Sequence, residues 1–364
     1  MKYYIIAGEA SGDLHGSNLI KQIRQLDAAA DIRCWGGDLM EQAGATVVKH
    51  YRDLAFMGFI EVVMNLRTIF KNIDACKADI QSWKPDVLVL IDYPGFNMRI
   101  AEWAKQQGLK VVYYISPQVW AWKEGRVKKI REYVDKMLVI LPFEKDFYRK
   151  WDYEVEYVGH PLIEAVKVAQ PAPPFSDKPI IALLPGSRKQ EVKEKLPVML
   201  SMAKYFPEYQ FIMAQAPSLD DSFIRPFTEA YPNVSVVKNQ TYQLLLQASA
   251  ALVTSGTATL ETALFGVPEV VCYKGSPVSY FFAKYLIKVK YISLVNLIMD
   301  KPVVKELIQH DFTEENLLKE LTLLLKDEAR RGQMQADYAV LWTLLGDGTA
   351  SRKAAEAIVG AVSA

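Results

Sequence analysis

The sequence predicts an α/β protein of two doubly wound, Rossmann-like domains facing a ligand cleft between them. Three observations predict it. Short apolar runs of strand length alternate with helical stretches along most of the chain. A proline-rich stretch, residues 169–178 (AQPAPPFSDK), separates two such series and reads as a stiff linker. Turns built from Gly, Ser and other small polar residues follow strands in both series, at the end of the sheet where open α/β folds place ligands. At 364 residues the chain suits two domains of ordinary size, and its 51% hydrophobic content can fill buried parallel sheets. The expected divisions are residues 1–168, the linker 169–178, and a second domain over 179–345.

Composition narrows the function classes. A net charge of +1 gives no global pull toward nucleic acid, so no nucleic-acid partner is expected. The three cysteines, Cys34, Cys76 and Cys272, stand apart and form no Cys-x-x-Cys pair. That argues against a disulfide framework or a zinc site and fits a reducing cytosol. The N-terminus enters a short strand directly and does not read as a signal peptide. No apolar run reaches bilayer-spanning length, which leaves surface attachment to a membrane open.

In the first half, residues 2–7 form a strand and residues 8–16 (GEASGDLHG) a turn into a helix expected from about Leu14 to Leu26. Gly, Ser and Asp here permit close approach by a ligand and cap the helix. The spacing is not G-x-G-x-x-G, so a dinucleotide reading is weak. Residues 56–73 (FMGFIEVVMNLRTIFKNI) place Phe59, Val63, Leu66 and Phe70 on one helical stripe, widened by Phe56 and flanked by Arg67 and Lys71. A core helix is the plainer reading; the alternative is a helix seated in a membrane interface with cations near lipid phosphates. Residues 87–91 (VLVLI) are a buried parallel strand that ends on Asp92, at the crevice end of the sheet, before Pro94 and Gly95 break the chain. A further strand delivers Trp120 and Trp122 beside Lys123 and Arg126. This is either a solvated helix face with aromatic packing or a site for an anionic, partly apolar ligand.

The second half repeats the rhythm. Gly186, Ser187 and Arg188 follow its first strand, and Arg188 can fork onto a pyrophosphate. Residues 252–271 (LVTSGTATLETALFGVPEVV) read as strand, tight turn, helix, turn, strand. At Ser255, Gly256 and Thr257 unpaired backbone N–H groups and the helix dipole converge on one point, where a phosphate is the natural occupant. Glu261, one turn in, is placed to take two ribose hydroxyls. An ordinary capped βαβ corner is the plainer reading of the same turn.

Taken together, residues 8–13 (GEASGD), 116–122 (SPQVWAW), 141–144 (LPFE), 159–161 (GHP), 184–188 (LPGSR), 255–257 (SGT) and 291–297 (YISLVNL) resemble lipid A disaccharide synthases. The resemblance covers nearly the whole chain, and the GEASGD and SPQVWAW segments are its specific parts. It implies a GT-B fold whose last helix, 351–364, crosses back onto the first domain. It implies inverting transfer of 2,3-diacylglucosamine from UDP-2,3-diacylglucosamine to 2,3-diacylglucosamine 1-phosphate at the cytoplasmic face of the inner membrane of a Gram-negative bacterium. It adds Asn296 to the UDP-binding residues, and Ser11, Gly12 and Asp13 to the acceptor side with Trp120, Trp122, Lys123 and Arg126. Self-association as a homodimer is left open.

Inverting transfer needs a base for the acceptor hydroxyl and charge stabilisation for departing UDP. Asp92 is the expected base, with His15 and Glu9 on the first turn as rivals and helix capping as its plainer role. No Asp-x-Asp occurs in the sequence, so a metal-bridged diphosphate has no obvious ligand pair, and neither a metal nor a cofactor is expected. Two other readings stay in play: another UDP-sugar enzyme of the same fold, such as a 2-epimerase or a transferase with a soluble acceptor, and a membrane-associated sugar-nucleotide-binding protein without turnover.

Overall fold

The computed structural model describes residues 1–54, 66–122, 124–275 and 289–363. The chain divides into two compact units, Met1–Pro161 with Leu345–Ala364, and Leu162–Leu344.

The first unit holds seven parallel strands: β1 (Lys2–Ala7), β2 (Asp31–Gly36), β3 (Thr46–His50), β4 (Val87–Ile91), β5 (Lys110–Tyr114), β6 (Lys136–Val139) and β7 (Glu156–Tyr157), in the order β3-β2-β1-β4-β5-β6-β7. Both faces are covered, so the strands need no polar side, and all five residues of β4 are buried. The period of two still sorts them. Tyr3 and Ile5 on β1 join Val87, Val89 and Ile91 on β4 in one cluster. Tyr4, Ile6, Leu88 and Leu90 point the other way, into a cluster with Ile73, Cys76 and Ile80 of the helix Leu66–Trp83. Ala354, Ala355 and Ile358 of the helix Ala350–Ser363 complete the first cluster, against Leu19, Ile20 and Ile23 of the helix Ala10–Leu26. The C-terminal helix is thus part of the core of the unit that begins at Met1.

The second unit has six parallel strands: β8 (Ile180–Leu184), β9 (Gln210–Gln215), β10 (Val234–Lys238), β11 (Ala248–Thr254), β12 (Glu269–Tyr273) and β13 (Lys305–Ile308), in the order β10-β9-β8-β11-β12-β13. Strand β13, KELI, was not foreseen; half its residues are charged and it is only four residues long.

Two expectations are corrected. The break between units falls after Pro161, not at residues 169–178. Gln247 ties the proline-rich stretch to the second unit: its Oε1 accepts from Phe175 N at 3.0 Å and its Nε2 donates to the Ala172 and Pro173 carbonyls. The stretch is a strap on one domain, although its composition reads as a linker. The first helix starts at Ala10, not Leu14, with Glu9 in extended conformation before it. Ser11, Gly12 and Asp13 therefore belong to a helical turn, which fixes where each side chain points.

Candidate active site

In each unit the strand order reverses once, between β1 and β4 and between β8 and β11. Loops leaving adjacent strands at such a point part to opposite faces and open a crevice. The turns that carry Glu9 and Asp92, and those that carry residues 186–188 and 255–257, leave the strands at these two points.

In the first unit, β4 delivers Asp92 and Tyr93, both in the left-handed backbone region at φ 43° and 48°. Such a bend is sparsely populated by non-glycine residues and persists where its surroundings hold it. Asn97 Nδ2 donates to the Asp92 carbonyl at 2.7 Å and to that of Ile91 at 3.2 Å, and the Tyr113 hydroxyl donates to the Asp92 carbonyl at 2.5 Å. Burial, then the nearby Glu9 carboxylate, pushes the Asp92 carboxyl up to about 6. The Tyr93 ring lies over Gly8, where a Cβ would come within 2.3 Å of it, so the first turn and the Asp92 bend are packed together through a glycine.

The first turn separates its residues. Ser11 and Glu9 are exposed. Gly12 packs on β1, where a Cβ would stand 3.1 Å from that of Ala7. Asp13 is buried, and its carboxylate accepts from the backbone N–H of Gly37 (2.8 Å), Met40 (3.1 Å) and Leu39 (3.1 Å). Of the two residues expected on the acceptor side, Gly12 gives helix–strand clearance and Asp13 holds the helix Asp38–Gln42. Burial lowers His15 to about 4 and His160, close to it, to about 3, so both imidazoles are neutral at pH 7. Asp92 is better matched to base chemistry near neutrality than His15.

Trp120 and Trp122 do different things. Trp120 packs edge-on against Phe143 at 5.0 Å, beside the buried Glu144. Glu144 Oε2 accepts from the Leu141 and Ile140 amides at 2.9 and 3.3 Å, and burial pushes this carboxyl up to about 7. Ser116 and Tyr148 share a hydroxyl–hydroxyl bond of 2.6 Å nearby. The SPQVWAW and LPFE segments are thus two halves of one packed corner. Trp122 is exposed, with the Arg126 guanidinium 5.5 Å from its ring. Lys123, Phe56, Phe59, Val63 and the side chain of Leu66 lie outside the described residues. Phe70 is exposed, with the Arg99 guanidinium 5.1 Å from its ring.

In the second unit, Gly186 (φ 113°) follows β8 and Gly256 (φ 149°) follows β11. A Cβ on Gly256 would meet nothing within 4 Å, so glycine is required there by backbone conformation and the space above it is open. Thr257 opens the helix Thr257–Leu264. The Ser255 hydroxyl donates to the Ile292 carbonyl at 2.8 Å, and Ser218 Oγ donates to the Ser187 carbonyl at 2.7 Å, bracing both turns. Arg188 extends into solvent, 3.8 Å from Glu191. Glu261 accepts from the Tyr242 hydroxyl at 3.0 Å, and burial raises its carboxyl.

Asn296 does not face this space. It is buried; its Nδ2 donates to the Val304 carbonyl and to Glu306, both at 2.9 Å, and its Oδ1 accepts from Val304 N at 2.9 Å. The side chain expected to contact UDP is thus engaged in bracing the chain at Val304 and Glu306. Glu306, which sequence reasoning missed, also accepts from Ile292 N, Ser293 N and Ser293 Oγ. Asn296 and Glu306 thereby hold the strand of chain on which Ser255 rests. The YISLVNL resemblance and the aromatic, basic composition of residues 281–296 mark the chain leading to Asn296, but no composition or spacing signal marks Glu306.

Comparison with known proteins bears on the family and the fold. The family model described as Lipid-A-disaccharide synthetase matches residues 3–360. A lipid-A-disaccharide synthase of Geobacter metallireducens is 41% identical over 96% of this chain and 94% of its own. One of Coxiella burnetii is 39% identical over 97% and 96%, and one of Syntrophus aciditrophicus 40% over 97% and 96%. Among solved structures, a UDP-GlcNAc 2-epimerase from Neisseria meningitidis bound to UDP-GlcNAc superposes with a TM-score of 0.70 at 14% identity, over 99% of this chain and 100% of that one. The glycotransferase of kitacinnamycin gives 0.68 at 14% identity, over 99% and 98%. These two share the fold, which is that of GT-B glycosyltransferases and UDP-GlcNAc 2-epimerases. The sequence kinship separates the two activities, and by it the chain belongs to the lipid-A-disaccharide synthetase family.

Proposed function

We propose that this chain transfers 2,3-diacylglucosamine from UDP to the 6-hydroxyl of 2,3-diacylglucosamine 1-phosphate, with inversion at the anomeric carbon and without a metal. The products are the β-1′,6-linked disaccharide 1-phosphate and UDP. The observation that carries the reading is kinship at about 40% identity over more than nine-tenths of the chain.

Asp92 takes the proton of the acceptor hydroxyl as that oxygen attacks the anomeric carbon. Its place at the end of β4 and its raised carboxyl pKa of about 6 support this role. The bond from the anomeric carbon to the β-phosphate breaks on the opposite face. Negative charge grows on the departing diphosphate, and Arg188 with the backbone N–H groups of residues 255–257 supplies positive potential there. Glu261 takes the ribose hydroxyls, with one of its oxygens already fixed by Tyr242. Ser11, Trp122 and Arg126 are assigned to the acceptor.

Both substrates carry acyl chains, so the reaction belongs at a lipid surface, and we assign it to the cytoplasmic face of the inner membrane. The exposed Phe70 beneath Arg99 supports peripheral contact. No helix among the described residues is long and apolar enough to cross a membrane.

The test is incubation of purified protein with UDP-diacylglucosamine and its 1-phosphate acceptor, in the presence of EDTA, followed by mass spectrometry. Disaccharide 1-phosphate and UDP in equal amounts are expected. A 2-epimerised sugar nucleotide, or no turnover, contradicts the reading.

A further inference from the structure

Beneath the turn assigned to the diphosphate lies a buried cation. Lys195 is on the helix Lys189–Leu200, which starts directly after Arg188, and is 2% exposed. Its ammonium donates to Thr254 Oγ1 and stands 5.8 Å from the centre of the Tyr273 ring. Thr254 is the last residue of β11, adjoining Ser255. A buried ammonium with a neutral hydroxyl as its hydrogen-bond partner is expensive to maintain, and a well-packed apolar residue of similar volume usually serves stability as well or better.

Glu191 lies one helical turn back on the same face. A Cβ on Gly186 would come within 2.5 Å of Glu191 Oε2 and 3.4 Å of Thr254 Cγ2. The Glu191 carboxylate therefore covers the backbone of Gly186, within 3.8 Å of Arg188. Burial lowers the pKa of the Lys195 ammonium, and the nearby Glu191 carboxylate opposes that shift. The carboxylate occupies the position of an anion over the glycine turn.

We propose that Lys195 is a positioning residue for the nucleotide diphosphate, and that Glu191 is its exchangeable counter-ion, displaced when the diphosphate arrives. Because the Thr254 hydroxyl accepts from Lys195, its own proton is directed to its other side. The charge of Lys195 is thereby passed toward the 255–257 turn. Displacement of Glu191 leaves Arg188 and Lys195 both facing phosphate, one from solvent and one from beneath. This inference rests on the assignment of UDP to the second unit.

The experiment uses the full chain and measures binding of UDP and of uridine, which lacks the phosphates. Lys195→Met should weaken UDP about tenfold, at the low end of what a charge-assisted hydrogen bond supplies, and leave uridine unchanged. Glu191→Gln should strengthen UDP about threefold, again without effect on uridine. Equal weakening of UDP and uridine in Lys195→Met marks a merely structural lysine and overturns the inference. So does unaltered UDP affinity in Glu191→Gln, which decides the matter alone if Lys195→Met fails to fold. Arg188→Ala run alongside separates the two levels. If it weakens UDP while the other two variants do not, the inference fails and the donor site stands; if none of the three alters UDP binding, the donor-site assignment itself fails.

Discussion

The Asn97 side-chain amide donates to the Asp92 carbonyl at 2.7 Å, and this bond, with a second to the Ile91 carbonyl and one from the Tyr113 hydroxyl to the Asp92 carbonyl, holds Asp92 in the left-handed bend at the end of β4. Asn97 lies in the first turns of the helix Pro94–Gln106 and is completely buried. Asn97→Ala leaves two buried carbonyls with fewer partners, and stability should fall by roughly 1–3 kcal/mol. The bend should relax at the same time, so kcat should drop while UDP affinity stays at the wild-type level. Thermal unfolding and calorimetry with UDP check the two halves of this expectation. An unchanged kcat in a folded variant would show that the bend does not position the base.

The pH profile follows from the Asp92 environment. Its carboxyl is raised to about 6 by burial and by Glu9, and a base must be ionised to act. The rate should therefore fall below about pH 6 and be level above it. Glu9→Gln removes the neighbouring negative charge, which moves the acid limb to lower pH. If Glu9 were itself the base, the same variant would lose the rate at every pH rather than shift the limb.

The donor side makes a separate prediction. Arg188→Ala should weaken UDP by roughly 1.5–3 kcal/mol, the usual worth of a hydrogen bond to a charged group. Glu261→Ala should also weaken UDP, and in that background deoxyribose analogues should bind almost as well as UDP. Calorimetry decides both. Wild-type affinity in the two variants removes the assignment.

Much of this architecture was legible in the sequence because continuous apolar runs such as VLVLI announce strands buried on both faces, and because phosphate-type turns follow them. What was not legible had specific causes. Proline content gave residues 169–178 the look of a linker, yet one glutamine far along the chain, Gln247, binds that stretch to its own domain. The roles of Asp13 and Asn296 were hidden because a motif marks a polar residue without giving its direction. Asp13 turns inward to three backbone amides, and Asn296 to Val304 and Glu306. Lys195 carried no signal at all, since a lysine in a helix reads as solvated until its burial is seen.

Asn296 then behaves as a brace. Asn296→Ala breaks its bonds to Val304 and Glu306 and leaves buried groups unpaired, which should lower stability by roughly 2–3 kcal/mol. Any loss of UDP affinity should come through the loosened Ile292 carbonyl on which Ser255 rests. Crosslinking or tightening of that loop should restore it. A folded variant of wild-type stability with abolished UDP binding would instead return Asn296 to direct contact.

The most direct measurement is the transfer rate of Asp92→Asn with both lipid substrates, taken with its UDP affinity and melting temperature. The substitution keeps shape and hydrogen-bonding capacity and removes basicity. Because the native carboxyl titrates higher than an unfolded one, ionised Asp92 opposes folding. That penalty is absent below the unfolded value near 4 and fully present above about 6. The variant should accordingly be as stable as wild type at pH 7 or slightly more so, and bind UDP equally well, while kcat falls by about 10²–10⁴-fold. A folded Asp92→Asn protein that retains more than roughly a tenth of the wild-type rate, against the lower bound of that range, contradicts the assignment of the base.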